Sequence, residues 1–346
     1  MFKRFSPSNT WVPVLSLLFI APAIHAEDAT QLAARLHAAD AGSALDVEGV
    51  KPWHLKLSVQ LFDEKGKPKD SGTIEEWWSA PGTDRREYKT STYSATEIRK
   101  GGQLYRTKDV EMPSYYLDYL REHAVHPMPA SSEVDQSTPE LRKQSLGKAP
   151  LECVMLSQPI KRVAFPPLGL FPTYCFDPGK NVLRLTFEFG LQTTIRNTLA
   201  TFQGRTVARD IAVLSDKVQA ASSHIEALEG GPIPDSEFDI SDAALAQLPS
   251  MVQISSGIAA GNLLNRVDPV YPMSAKQNHV SGVVVMHAVI GTDGHIHSLK
   301  LMSAPDPDLA LSAIWAVRKW TYKPYILNGV PTSVETKINV SYTFGP

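Results

Sequence analysis

Three histidines, His287, His295 and His297, crowd one short stretch, and a His-x-His pair on one strand face is a donor set that zinc accepts. The hairpin expected there puts His287 opposite Ser298 and away from His297, leaving too few converging ligands, so no metal site is expected. Ser145-Leu146-Gly147-Lys148 has the Ser-x-x-Lys spacing in which a lysine activates a serine nucleophile. The companion motifs of such enzymes are absent, and the stretch falls in a polar loop before a strand. Glu75 and Glu76 beside Trp77 and Trp78 suggest carboxylates framing a sugar platform. Adjacent strand residues point to opposite faces, so core tryptophans with solvated carboxylates are expected instead. Cys153 and Cys175 each sit in an alternating apolar stretch; a metal site calls for more ligands, and a catalytic thiol calls for a recognisable histidine partner. A structural disulfide between them is expected, with two buried free thiols as the other reading. No phosphate-binding glycine loop, zinc-ligand pair or catalytic triad is found, so neither an enzyme nor a cofactor is expected.

Composition narrows the classes further. The chain has 346 residues, enough for two domains, and 43% hydrophobic residues, enough for a core in each. Its 34 Lys and Arg against 36 Asp and Glu give a net charge of -2, so there is no basic field for nucleic acid. Lys3 and Arg4, an apolar run over residues 11–24 and the small-residue exit Ile24-His25-Ala26 read as a cleaved signal peptide, residues 1–26. The run is shorter than the roughly 20 residues of a spanning helix and carries Pro13 and Pro22. A periplasmic location is therefore expected, with an inner-membrane anchor facing the periplasm as the alternative.

The remainder divides by periodicity. Leu32, Leu36 and Ala39 give a short amphipathic helix. From Trp53 the period becomes two, and strands joined by Gly- and Pro-bearing turns alternate to about residue 228, interrupted by a helix over residues 114–125 and a polar helix or loop up to residue 149. Residues 27–228 thus form one curved antiparallel sheet with helices, half-barrel-like. A breaker cluster beginning at Gly230 sets a linker, residues 229–251, before a second domain at 252–346. The expected class is α+β.

In the second domain Pro269 and Pro272 hold Tyr271 extended before a single helical turn. Gly282 releases a strand with Val284, Met286, Ala288 and Ile290 on one face, Asp293-Gly294 turns the chain, and Leu299 and Leu301 return on that same face. A helix begun at Pro307-Asp308, with Asp308 placed to cap or favour its N-terminus, covers that face through Leu309, Ala313, Ala316, Val317 and Trp320. Residues 334–344 form the final strand, with Val334, Thr336, Ile338, Val340 and Tyr342 on one face, Phe344 beyond them, and no later chain to cover its edge.

These residues, Pro269-Val270-Tyr271-Pro272, Gly282, Asp293-Gly294, Trp320, Pro324, Asn328-Gly329 and the last strand, resemble in order and spacing the C-terminal domain of the TonB energy-transducer family. The resemblance implies a small sheet with one flanking helix, whose last strand (Val334, Thr336, Ile338, Val340, Tyr342, Phe344) accepts an extended peptide of an outer-membrane transporter or a second copy of the chain. An unpaired strand edge supplies the backbone groups for such an addition. A typical transducer has an uncleaved anchor and a Pro-rich spacer; here a β-rich domain stands in place of the spacer. That domain resembles, in its strand pattern alone, the LolA-like half-barrel carriers of lipids and lipoproteins, which implies an apolar ligand as the alternative function.

Overall fold

A computed structural model describes residues 28–110, 112–158, 167–188, 190 and 192–344. The expected signal peptide lies outside the described residues. The helices are α1 (Ala29–Ala41), α2 (Tyr115–Val125), α3 (Ser131–Asp135), α4 (Ser256–Gly261), α5 (Met273–Gln277) and α6 (Pro307–Val317). The first part of the chain contributes β1 (Trp53–Phe62), β2 (Pro68–Ala80), β3 (Thr83–Thr90), β4 (Ser94–Lys100), β5 (Gln103–Thr107), β6 (Thr138–Leu146), β7 (Ala149–Ser157), β8 (Thr173–Phe176), β9 (Leu183–Glu188), β10 (Gln192–Phe202), β11 (Arg205–Ser215), β12 (Val218–Gly230) and β13 (Leu245–Gln247). The remainder contributes β14 (Val252–Gln253), β15 (Leu263–Asn265), β16 (Gly282–Ile290), β17 (Ile296–Ser303), β18 (Thr321–Tyr322), β19 (Ile326–Leu327), β20 (Val330–Pro331) and β21 (Val334–Tyr342). The molecule is α+β, as expected.

The first 13 strands make one open, curved antiparallel sheet in the order β13-β5-β4-β3-β2-β1-β12-β11-β10-β9-β8-β7-β6. Bulges at Lys56/Leu57, Leu61/Phe62 and Val213/Leu214 add local bend to its central strands. Trp53, Leu55, Leu57 and Val59 of β1 alternate inward and meet Leu117, Leu120 and Val125 of α2, which fills the concave face. Farther along the sheet, Leu32 and Leu36 of α1 pack on Val154, Tyr174 and Phe176. Cys153 and Cys175 are directly opposed on β7 and β8 and form the expected disulfide.

Charge is buried inside this sheet. Glu76 pairs in register with Arg86, Arg86 with Glu97, and Glu97 with Arg106, so alternating signs cross β2 to β5 as one row. Arg106 Nη2 lies 2.6 Å from Glu97 Oε1, and Arg121 of α2 grips Glu76 with Nε at 2.7 Å and Nη2 at 2.5 Å. Glu76 is wholly buried, which corrects the expectation of a solvated carboxylate. Its residue face is shared with Ile74 and Trp78, and only Trp78 stacks on Trp53 in the core. Trp77 lies on the other face against His54, with ring centroids 4.9 Å apart.

Residues 138–146, expected as polar helix or loop, form β6 instead. Their alternation is weak because the strand is the last of its sheet and pairs only with β7. Within the segment expected as a linker, a short 3-10 helix (Asp235–Phe238) buries Phe238, and β13 pairs with β5.

The second sheet has the order β14-β21-β16-β17, with α6 packed on it through Leu309, Ala310, Ala313 and Val317. Asp306 caps α6 by accepting from the N–H groups of Asp308 and Leu309, so capping falls two residues earlier than expected, while Asp308 favours the N-terminus from the first turn. Leu170 and Phe171 of the preceding unit join this same core.

Candidate functional site

Strand β21 is positioned by its buried side. Val334, Thr336, Ile338, Val340 and Tyr342 alternate inward, and all are buried beneath α6 or its flanks, with the Tyr342 hydroxyl donating to Leu309 O at 3.1 Å. The same residues sit opposite Ile290, Ala288, Met286, Val284 and Gly282 of β16. The five expected strand residues are therefore brought together, as the anchored side of the strand.

The backbone direction locates the edge. Val252 N–H donates to Ser333 O at 3.1 Å and Ile254 N–H to Glu335 O at 2.9 Å, so the odd-numbered residues of this strand turn their backbone groups away from β16. Backbone groups alternate sides along a strand. The N–H and C=O of Lys337, Asn339 and Ser341 accordingly face outward, beyond the end of β14, where no strand pairs with them among the described residues. All three residues are exposed, and α4 packs against β21. The residues expected from the sequence are those whose side chains face inward; the residues whose backbone groups face outward follow from the same alternation once β14 is placed. Phe344, 40% exposed, follows the strand and meets Tyr271 edge-on at 6.5 Å and His279 at 4.5 Å.

The motif residues hold this geometry. Tyr271 packs edge-on against Tyr342 at 5.4 Å, and its hydroxyl donates to Val280 O. Pro269 lies just before it in the extended lead, and Pro272 precedes the first turn of α5. Gly282 has φ +144°, and a Cβ there would meet the ring of Pro305 at 3.0 Å. Gly294 has φ +74°, and a Cβ there would run into the carbonyl of Tyr322, so a side chain is excluded twice over. Asp293 accepts from the N–H of His295 at 3.0 Å and lies 3.0 Å from His297 Nε2. Trp320 Nε1 donates to Val267 O at 2.8 Å. Pro324 leads into β19, and Gly329, φ +85°, turns β19 into β20. The expected hairpin register is corrected: irregularities at Val285/Met286 and Val289/Ile290 place His287 opposite Lys300 rather than Ser298. Among the described residues no group of three or more His, Cys, Asp or Glu is arranged to hold a metal ion.

Between the two units lies a cleft of about 980 Å³, walled by Tyr115, Tyr119 and Glu122 of α2 on one side and His297, Leu299 and Leu301 of β17 on the other. Burial, reinforced by neighbouring Asp118, pushes the Glu122 carboxyl up to about 7. Burial also raises Glu188, which accepts from the Tyr119 hydroxyl at 2.7 Å. Burial lowers His123, and Arg196 beside it acts in the same direction. The cleft is thus mixed in polarity. Two polar contacts latch the units: Lys300 reaches Glu133 at 2.7 Å across the cleft, and outside its lining Asp216, at the β11–β12 turn, accepts from Arg318 Nη2 at 2.5 Å and from Trp315 Nε1 at 3.1 Å.

No helix among the described residues is long and apolar enough to cross a membrane. No curated protein matches the sequence. Two solved structures similar to this chain are a LolA superfamily protein from Nitrosomonas europaea and a DUF1329 family protein from Desulfovibrio piger. The first has 11% identity and a TM-score of 0.38 over 62% of this chain and 98% of its own. The second has 8% identity and a TM-score of 0.39 over 62% and 96%. Residues 267–344 match the family model of the Gram-negative bacterial TonB protein C-terminal, and the chain therefore carries a TonB C-terminal domain.

Proposed function

We propose that this is a periplasmic protein whose C-terminal domain, residues 252–346, captures a short extended peptide by strand addition to β21. The partner is an outer-membrane TonB-dependent transporter or a similar envelope protein. The supporting observation is the outward backbone of Lys337, Asn339 and Ser341 on a strand whose other side is fully paired. An added strand takes main-chain hydrogen bonds from such an edge without needing a deep pocket. In this reading the signal peptide, residues 1–26, is removed, residues 27–228 form the N-terminal domain and residues 229–251 connect the two. Coupling of energy to transport is the finer part of the proposal, since tension carried along paired strands is shared by the whole ladder. N-terminal sequencing of the mature protein separates a free periplasmic form from an anchored one.

The carrier alternative, an apolar lipid or lipoprotein ligand in the N-terminal sheet, has less support, because Leu117, Leu120 and Val125 of α2 are packed into the core on the inward face of that sheet. A homodimer through β21 would use the same outward groups and is the competing occupant. Asn339→Pro tests the edge. It removes one outward N–H from an edge position where proline is tolerated, and should weaken binding of plug-derived peptides about tenfold or more, read by isothermal titration. Equal binding by the variant removes the edge from the mechanism.

A further inference from the structure

The docking edge is partly occupied by the chain itself. β14 sits alongside β21 at Val334 and Glu335, in the position that an added strand takes, about 4.8 Å from its neighbour. The ladder stops at the Ile254 N–H bond to Glu335 O, where Ser255 caps α4. We propose that residues 252–261 are a strap that holds the partner's place on the edge in cis, and that the N-terminal unit controls it through the four residues before it. This rests on the docking reading above.

Two features carry the proposal. First, the hold is local. β14 has two residues, Met251 and Ile258 are 48% and 47% exposed, and burial on the strap is limited to Ile254 and Ala259, with Val252 half-buried. Such a segment opens by itself at far lower cost than the β16–β21 ladder beside it. Second, its tether is short. β13 closes the far edge of the large sheet, and the Leu248 N–H just after it donates to Leu104 O at 2.8 Å. Leu248, Pro249, Ser250 and Met251 then cross directly to β14, a stretch that spans at most about 14 Å when extended. These four residues also line the cleft between the units. A shift of the large sheet against the small one, or an occupant of the cleft, therefore acts on the strap before it acts on any other part of β21.

The consequence is a docking site in two parts. A peptide of about five residues, roughly 17 Å long, pairs with the open stretch from Lys337 to Ser341 and leaves the strap in place. A longer one has to displace β14. Amide exchange on the full-length protein tests the strap without any partner. The Val252 and Ile254 amides should exchange roughly 100-fold faster than those of Met286 and Ile338, and Leu248→Pro, which removes the N–H given to Leu104, should speed Ile254 further while leaving Met286 unchanged. Exchange of Ile254 at the ladder's own rate, or indifference to Leu248→Pro, overturns the proposal.

Binding tests its role. Gln253→Cys with Glu335→Cys pins the strap to its registered neighbour. The probes are ten-residue synthetic peptides from the plug N-termini of the same organism's outer-membrane transporters, together with their five-residue cores. Pinning should weaken the ten-residue peptides about tenfold, leave the five-residue cores unchanged, and be matched by no change in a Gln253→Ala, Glu335→Ala control. Equal ten-residue affinity in pinned and unpinned protein overturns the strap's role. If no peptide binds the unpinned protein, the docking reading itself fails while the exchange data still report on the strap.

Discussion

The two sheets deal with their polar groups in opposite ways. In the large sheet the row Glu76, Arg86, Glu97, Arg106 sets opposite charges side by side, Asp84 lies 2.9 Å from Arg86, Arg121 grips Glu76 from α2, and β13 and β6 end the ladder. In the small sheet β21 is fully paired on one side, and beyond Glu335 no strand among the described residues pairs with its other side. One sheet turns its polar groups inward to specify its own register; the other turns them outward. Under the proposed function this contrast places scaffolding in the first unit and recognition in the second, with the strap proposed as the link between them.

The largest way to break this contrast is to orphan a buried charge. Glu76→Ala takes from Arg121 the carboxylate it grips, while Arg86 keeps Asp84 at 2.9 Å, and should cost about 3–5 kcal/mol in denaturant unfolding of the whole chain. Glu76→Leu combined with Arg121→Leu should cost clearly less, because it removes both charges. If the two variants are equally unstable, the row is not acting as an ion-pair network.

Loss of the disulfide comes next. The bridge closes a sequence separation of 22 residues, and Cys153→Ala with Cys175→Ala should lower stability by about 3 kcal/mol on the chain-entropy account. Peptide binding at β21 should survive wherever the protein remains folded.

A smaller effect is set by pH. Asp40 at 2.9 Å and Asp46 at 2.6 Å hold His126 protonated, raising it from 6.5 to about 10. A group raised on folding stabilises fully below its unfolded value and loses that contribution as pH rises through its folded one. The thermal midpoint of the wild type should therefore fall between about pH 7 and pH 10, and His126→Asn should flatten that fall. Parallel pH curves for the two proteins would remove His126 as the cause.

The smallest effect is expected at the latch. Asp216→Ala removes the acceptor shared by Arg318 and Trp315, at a cost of roughly 1 kcal/mol. The sharper readout is proteolysis, which should accelerate between Leu248 and Met251 as the units loosen. An unchanged cleavage rate would mean that the apolar contacts of Leu170 and Phe171 suffice to hold the units together.

Much of the fold was legible because its signals are local. Alternation at Trp53, Leu55, Leu57 and Val59 and the apolar stripe of α6 depend only on strand and helix periods. Gly294 marks a turn through its own backbone freedom, and Pro272 holds the preceding Tyr271 in an extended lead. Residues 138–146 were missed because a terminal strand of a sheet has little alternation to show. Glu76 was misread because a glutamate in an alternating strand carries no mark of the arginine, 45 residues distant in sequence, that will meet it.

By itself the sequence indicated that a β-rich unit precedes a TonB-type C-terminal domain, favoured a disulfide between the two cysteines, and placed the even-numbered residues of the last strand on one face. Only the tertiary structure decided which backbone groups of that strand face outward, since strand period fixes the alternation but the neighbouring strand fixes its direction. It also decided that β14 already holds the first part of the edge. Pairing between Val252 and Val334 joins positions far apart in the chain, and no local preference of either residue records it.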